Sequence, residues 1–563
     1  MVEPRPLTLT PAAKLDWSRP GTPAATEFSD IYFSTDGGLN ETRTVFLKGC
    51  GLPEGWADRD VFTIGELGFG SGLNFLASWQ KWTQTAAPSQ RLHYVSIEKF
   101  PFDAQQLKRA LAAWPELKAY SGKLIAKWPG RVRGFHRLNF GAVTLTLIHA
   151  DVIEALDQVD GLQADAWFLD GFSPSGNPAM WSSEVMHHLA ACCAPGARLA
   201  TFSVAGVVRG ALTDAGFTVR KMPGFGRKRH RLEADFSGEH RAKSCPVVKA
   251  LIVGAGIAGR SLANALSARN IPFDIIDNRS HPAASANPAA LVKPRFDLQD
   301  RPESRFFLAA YLQVVREYPD SAILSRGVRQ IPKTEKDAER FQKLIQNAPL
   351  GETRLSWKDG ALWIDDALVI DPTKIFQNLD IRRETYEPTQ DYATYSHVFL
   401  AAGYGIRKLA PELKTRFSRG QLSWAKPVWE IPTAYGGYVL NLEGAALVGA
   451  THDRLDDRDP FELRSEDDVR NLSALEDISG FKIIPFDRPS RASIRVTSQD
   501  TLPMIAQIKT TPHNNVWAIS GLGSRGFTFA PLLAEALIAR LCEEVGPLDK
   551  TLRARFSALS RVF

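Results

Sequence analysis

The sequence predicts an α/β protein of two domains in tandem, and three observations carry that prediction. A buried strand, a glycine-rich turn and a helix start occur twice, at residues 60–74 and 249–259. In each unit the following strands end in acidic residues. Between the units, Glu233 to Pro246 is polar, with Ser237-Gly-Glu-His-Arg-Ala-Lys-Ser244 and no apolar periodicity, which reads as a domain connection. The expected domains are therefore 1–244 and 245–563.

In the first unit, Asp60-Val-Phe-Thr-Ile-Gly-Glu-Leu-Gly-Phe-Gly-Ser-Gly-Leu-Asn74 places Glu66 at a strand end, before Gly68, Gly70 and Gly72. The glycines bring backbone close to a ligand, and Glu66 is placed to hold a ligand ammonium, directly or through water. This spacing is the pattern of Rossmann-like S-adenosylmethionine-dependent methyltransferases. Three later strands also end in acids. Leu92–Glu98 offers Glu98 to ribose hydroxyls, Leu145–Asp151 offers Asp151 to an adenine amine, and Ala164–Asp170 puts Asp170 at the active-site edge. Each acid alone is more often a helix cap or a solvated loop residue. Four at successive strand ends fit the rule that open α/β sheets bind ligands at their carboxyl ends. Arg198–Ser203 and Phe217–Lys221 read as later strands.

In the second unit, Ala250 to Val253 is an apolar strand, and Gly254, Gly256 and Gly259 follow in G-x-G-x-x-G spacing. One glycine makes the turn, one lets backbone approach a pyrophosphate, and one allows close helix–strand packing. A second strand, Pro272–Ile276, ends at Asp277, where an acid binds a ribose hydroxyl. Near the C-terminus, Ile519-Ser-Gly-Leu-Gly-Ser-Arg-Gly-Phe-Thr-Phe-Ala-Pro531 is a strand, turn and helix. Its helix start suits the polar edge of a flavin and its developing negative charge. Gly521, Gly523, Ser524, Arg525 and Gly526 are the expected contacts.

Composition sets outer bounds. Apolar content of 44% and charged content of 23% are ordinary for globular chains. The first residues carry an acid and two prolines and no apolar core, so no secretory signal is expected. No apolar run approaches the roughly 18 residues of a membrane span. The five cysteines form no C-x-x-C pair and read as reduced thiols of a cytoplasmic protein, without structural zinc or another metal site. The net charge of +6 permits a polyanionic partner without establishing one. The run Gly226-Arg-Lys-Arg-His-Arg231 suits either a phosphate backbone or a solvated loop.

Taken together, the chain resembles the MnmC family of bifunctional tRNA wobble-uridine-modifying enzymes. The resemblance rests on residues 21–46, on Gly65–Asn74, on Phe168-Leu-Asp-Gly-Phe-Ser-Pro174 with Asn177-Pro-Ala-Met-Trp181, and on Pro223–Arg229. It implies a Rossmann-like SAM methyltransferase domain followed by an FAD-binding domain like that of D-amino-acid oxidase, with an antiparallel substrate-side sheet. The implied cofactors are FAD and S-adenosylmethionine, and the implied partner is tRNA at the anticodon arm. No protein partner is inferred. The FAD domain would remove a carboxymethyl group oxidatively, and the first domain would methylate the resulting amine. An alkylamine is mostly protonated at neutral pH, so a carboxylate must take its proton, and Asp170 is the candidate. Arg495 matches an arginine that binds a substrate carboxylate in glycine-oxidase-like relatives, and a guanidinium fork suits that group. The loop at 283–295 resembles the family's flavin loop, with Ala286 and Ala290 where relatives carry glycine. Arg419–Leu422 resembles a segment near the flavin. Two other readings share these motifs. One is a small-molecule amino-acid oxidase fused to a small-molecule methyltransferase. The other is a tRNA-binding protein with decayed sites.

Overall fold

The computed structural model describes residues 5–18, 22–34, 37–226, 228–239, 243, 245–351, 353–376, 379–509 and 515–557. Gly21, Thr35 and Asp36 of the N-terminal segment, Arg227 of the basic run, and 240–242 and 244 of the connection lie outside these residues. The chain divides into two compact units. One comprises 8–245 and 539–551, the other 1–7, 246–538 and 552–563.

The main sheet of the first unit has eight strands: β1 (Val61–Leu67), β2 (Arg91–Glu98), β3 (Gly134–Asn139), β4 (Val143–His149), β5 (Ala164–Leu169), β6 (Cys193–Thr201), β7 (Phe217–Pro223) and β8 (His230–Phe236). Their order is β7-β8-β6-β5-β1-β2-β4-β3. The middle five are parallel, and antiparallel strands close both edges. Both sheet faces are covered, which explains why the strands read as continuous apolar runs rather than alternating ones. Along β5, Phe168 packs into the cluster of Trp56, Phe75 and Tyr94, while Trp167 and Leu169 pack into the opposite one with Val185 and Leu199. From β1 the chain passes first to β2 on one side and later to β5 on the other. The gap between the ends of β1 and β5 is thus a topological switch point, where such sheets bind ligands. Two helices matter for the site: α1 (Leu73–Thr85), directly after the glycine turn, and α2 (Val152–Gln158).

The second unit has two sheets. Its strands are β9 (Ala250–Val253), β10 (Phe273–Ile276), β11 (Ala290–Val292), β12 (Ile323–Gln330), β13 (Leu355–Lys358), β14 (Ala361–Ile370), β15 (Ile381–Arg382), β16 (His397–Leu400), β17 (Thr415–Ala425), β18 (Thr433–Ala434), β19 (Tyr438–Leu442), β20 (Ala445–Gly449), β21 (Asp453–Arg454), β22 (Arg491–Ser498), β23 (Met504–Ile508) and β24 (Val516–Ser520). A mostly parallel sheet runs β15-β10-β9-β16-β24-β23. A mostly antiparallel sheet runs β11-β14-β12-β18-β19-β20-β17-β21, with β13 beside β14 and β22 beside β17. The helices used below are α3 (Ile257–Ser267), α4 (Pro302–Glu317), α5 (Ser465–Ser479) and α6 (Gly526–Leu541). Helix α4 packs Phe306 and Phe307 against Phe529 of α6.

The reading of five free thiols is corrected. Cys245 and Cys542 form a disulfide within the first unit, while Cys50, Cys192 and Cys193 are buried thiols. The partners are 297 residues apart and meet only because 539–551 returns to that unit, which no local spacing reveals. No described helix is long and apolar enough to cross a membrane.

Candidate active sites

In the first unit, Gly68, Gly70 and Gly72 form the turn between β1 and α1. Gly68 has φ 89°, and a Cβ there would lie 2.5 Å from the carbonyl oxygen of Asp170. Only glycine lets the ends of β1 and β5 come this close. The amide N–H of Gly70 donates to Glu98 Oε2 at 2.9 Å, and that of Phe100 donates to Glu98 Oε1 at 2.8 Å. Burial raises the Glu98 pKa against the pull of these N–H groups. Asp151 caps α2 by accepting from the Ile153 N–H at 3.1 Å and pairs with Lys99 at 3.0 Å.

Glu66 and Asp170 are brought together by a residue the sequence reading passed over. Asn74, on the first turn of α1, donates through Nδ2 to Glu66 Oε1 at 3.0 Å and to Asp170 Oδ2 at 2.7 Å. Ser96 Oγ donates to the other oxygen of Glu66 at 2.6 Å. Glu66 is fully buried, so both its oxygens are engaged inside the protein. Burial pushes its pKa up to about 8, opposed by the bond from Ser96. Asp170 is half-buried and pushed up to about 7, first by burial, while the hydrogen bond from Asn74 holds it down.

The N-terminal segment supplies the remaining walls. Phe28 stacks on Phe172 at 4.6 Å, and Tyr32 meets Phe172 edge-on at 5.1 Å. Asp30 accepts from the Ser173 N–H at 2.9 Å, fixing the loop that follows Asp170. Glu41 pairs with Lys228 at 3.0 Å, and the Lys228 ammonium lies 3.9 Å from the centre of the Phe202 ring. The resemblance marked this segment as distinctive, yet its spacing carries no signal of these roles. In the basic run, Lys228 is thus turned to Glu41 and Arg231 to Glu233, while Arg229 and His230 are exposed.

In the second unit a cavity of about 1100 Å³ is lined by Gly254, Asp277, Lys293, Tyr438, Arg495 and Arg525, among others. This exceeds the roughly 300–1,000 Å³ of a pocket for one drug-sized ligand, as a dinucleotide together with a substrate requires. Gly254 and Gly256 lie in the turn after β9, and Gly259 lies on α3. A Cβ on Gly259 would sit 1.9 Å from the Gly254 carbonyl, so the third glycine is there for the close packing of turn and helix. Asp277 accepts from the Ala255 N–H at 2.8 Å, and Ser285 Oγ accepts from the Ile257 N–H at 3.1 Å. Gly521, Gly523, Ser524 and Arg525 form the turn after β24, and Gly526 starts α6. Burial and the nearby Arg295 and Arg340 lower Arg525 to about 10. The turn, the helix start and the wide cavity together fit FAD.

Arg495, on β22, donates to the Thr451 carbonyl at 3.1 Å, and no carboxylate of a described residue pairs with it. Its guanidinium lies over Gly420, where a Cβ would come within 2.4 Å of Nη1. Burial lowers its pKa, and the Tyr438 phenol beside it opposes that shift. Arg419, next to Gly420, is buried in an ion pair with Asp467 of α5. The 419–422 segment thus bears on the site through Gly420, whose missing side chain leaves room for the Arg495 guanidinium. Lys293, in the loop after β11, was also missed. It donates to Gln330 Oε1 at 3.0 Å, and burial, Arg525 and Arg340 lower it to about 7. Gln330, Ala434 and Tyr438 are successive cross-strand neighbours on β12, β18 and β19, so all three face the same cavity.

Comparison with known proteins agrees with this geometry. Residues 115–237 match the model of an S-adenosyl-L-methionine-dependent methyltransferase, and residues 249–540 match that of the FAD-dependent oxidoreductases. The chain is 42% identical to the tRNA 5-methylaminomethyl-2-thiouridine biosynthesis bifunctional protein MnmC of Caulobacter vibrioides, with 97% of each chain covered. It is 40% identical to the protein of that name from Maricaulis maris, covering 96% of this chain and 94% of the relative. Against the one from Azoarcus sp. the identity is 35%, with 97% of each covered. A methyltransferase unit and an FAD oxidoreductase unit, matched over nearly their whole joint length, make the chain a member of the bifunctional MnmC family.

Proposed function

We propose that the chain completes the side chain of a modified wobble uridine in tRNA by two successive reactions. The FAD unit oxidises the carboxymethylaminomethyl group of 5-carboxymethylaminomethyl-2-thiouridine, with the two electrons going to bound FAD, and water splits the resulting imine into the 5-aminomethyl base and glyoxylate. The methyltransferase unit then adds one methyl group to the exposed amine. The observation that carries this reading is the opposed chemistry of the two sites. One holds a carboxylate whose proton affinity is raised into the neutral range, and the other a buried guanidinium with no carboxylate partner among the described residues.

In the oxidase cavity Arg495 would hold the substrate carboxylate, with Tyr438 beside it. Gly254, Gly256, Gly259, Asp277 and the 521–526 turn would hold FAD, which supplies a two-electron acceptor when bound. In the methyltransferase unit Gly68, Gly70, Gly72, Glu98 and Asp151 would hold S-adenosylmethionine, the methyl donor. Glu66 acts from beneath, through Asn74. Asp170 takes the proton of the substrate ammonium and leaves the amine lone pair free to attack. Exposed Arg229 and His230 would meet the phosphate backbone of the anticodon arm. A tRNA substrate places the work in the cytoplasm.

The small-molecule reading is set aside because the matches extend over the full chain to proteins named for tRNA modification. Nucleoside mass spectrometry of tRNA from a strain lacking the gene tests the proposal. The expected result is loss of the methylaminomethyl nucleoside with accumulation of its carboxymethylaminomethyl precursor. An unchanged nucleoside profile overturns it.

A further inference from the structure

We propose that Asn74, oriented by Thr42, is a positioning residue that joins Asp170 to Glu66, so that the two carboxyl groups act as one proton-holding unit in methyl transfer. The inference rests on the reading of Asp170 as proton acceptor and adds two residues to it.

The network leaves little freedom. Thr42 Oγ1 donates to Asn74 Oδ1 at 2.8 Å, which occupies the carbonyl side of the amide. The amide nitrogen must then face the carboxylates, and its two hydrogens serve Glu66 and Asp170. The reversed amide would put its oxygen against two carboxylates. Asn74 is 5% exposed and Glu66 fully buried, so water does not replace either contact. Asp170 alone of the three reaches the site, and Asn74 is its hydrogen-bond partner among the described residues.

Two acceptors on one NH2 group lie within the roughly 4–6 Å over which like charges raise each other's pKa. The pair therefore favours holding a single proton near neutral pH. That proton belongs mainly on Glu66, the more deeply buried group, where its pKa of about 8 agrees with the geometry. Asp170 is left as the ionised member. The step is then simple to balance. An N–H bond of the substrate ammonium breaks, an O–H bond forms on Asp170, and the electron pair stays on nitrogen. No oxidant or reductant enters. The other groups facing the pair are Tyr94 beside Glu66, and Glu41, Lys228 and Asp30 around Asp170. Lys228 is paired with Glu41, so the two largely cancel at Asp170.

The test uses the full chain and tRNA carrying the 5-aminomethyl base. Single-turnover methyl transfer is followed against pH for the wild type, Asn74→Ala, Glu66→Gln and Asp170→Asn, with S-adenosylmethionine affinity measured by calorimetry. Asn74→Ala removes the donor that favours the charged form of Asp170. Its acid limb should move up by about one pH unit, a tenfold loss at the acid end that recovers at high pH. Glu66→Gln fixes that position in its neutral state, so the acid limb should stay where it is in the wild type, while the second ionisation of the pair, near pH 8 in the wild type, should disappear from the profile. A purely structural role would lower the rate equally at every pH, and that result, an unmoved acid limb in Asn74→Ala, or a second ionisation near pH 8 retained in Glu66→Gln, overturns the proposal. If Asn74→Ala fails to bind S-adenosylmethionine, Glu66→Gln decides alone. Near-normal turnover by Asp170→Asn would instead overturn the proton-acceptor reading itself.

Discussion

The methyltransferase site and the oxidase cavity are built from buried ionisable groups of opposite sign. In the first, burial raises acids: Asp170 to about 7 and Glu66 to about 8. In the second, burial lowers bases: Lys293 to about 7, Arg525 to about 10, and Arg495 below its ordinary value. The cause is shared, since burial penalises the charged form whatever its sign. The consequences differ. A carboxylate pushed to neutrality becomes a good proton acceptor for an alkylammonium. A guanidinium keeps its charge even when buried, so it demands an anion. The acids also satisfy each other through Asn74, whereas Arg495 has a carbonyl partner and an open cavity. One site handles a proton and the other an anionic ligand.

The sharpest way to break this contrast is to remove one group from each site and read both activities. Asp170→Asn should lower methyl transfer by roughly 100- to 10,000-fold, the usual worth of a proton-transfer group, with flavin oxidation unchanged. Retained methylation would end the comparison at once. Arg495→Ala should raise the KM for the carboxymethylaminomethyl substrate by roughly 10- to 100-fold, the loss of one charged contact of about 1.5–3 kcal/mol. Methyl transfer to the aminomethyl base should not change. Arg495→Lys should recover only part of the loss, because an ammonium lacks the planar fork. An unaltered KM in Arg495→Ala would remove that residue from the site.

A smaller effect concerns stability against pH, where the two sites should run in opposite directions. Asp170 and Glu66 have folded pKa values raised above their unfolded ones. Their contribution is complete below about pH 4 and is lost as pH rises through about 7 and 8. Lys293 has a lowered folded pKa. Its contribution is present above about pH 10 and is lost as pH falls through about 7. Hydrogen exchange should therefore show α1 opening more readily from pH 5 to 8, and β11 opening less readily from pH 7 to 10. Glu66→Gln and Lys293→Met should each flatten its own trend. Trends of the same sign in both units would contradict the contrast.

How far the sequence reveals these sites depends on how local each signal is. The glycine turns and strand-end acids are legible because a strand–turn–helix unit forces glycine and acid into fixed spacing. Gly68 and Gly259 do what the motif implies, and the close contacts at their Cβ positions explain why. Asn74 is not legible, since an asparagine on a first helical turn looks like any polar residue. Its partners Thr42 and Asp170 are 32 and 96 positions away. Glu66 looks ligand-facing at a strand end, yet it lies inside β1 with both oxygens engaged by the protein. Lys293 carries no local signal within the 283–295 loop, because its partner Gln330 is 37 positions away and the cavity it lines forms only in the folded unit. Arg419 stands in a segment resembling one near the flavin, but Asp467 takes its charge. Cys245 and Cys542 show the same limit at the longest range.

Asp151 gives the finest division of the methyltransferase site. It is the strand-end acid whose structural duties are complete without a ligand. It caps α2 through the Ile153 N–H and pairs with a half-exposed Lys99. Loss of such a cap costs about 1 kcal/mol, and a solvent-exposed ion pair adds little. Asp151→Ala should therefore lower the melting temperature of the methyltransferase unit by a few degrees. If Asp151 also accepts from the adenine amine, S-adenosylmethionine affinity should fall by roughly 10- to 100-fold, the worth of a hydrogen bond to a charged group. Calorimetric binding well below the melting transition separates the two losses. Lower stability with unchanged affinity would make Asp151 a helix cap alone. Cofactor binding would then rest on Glu98 and the glycine turn, with Asp170 and Glu66 left to the proton.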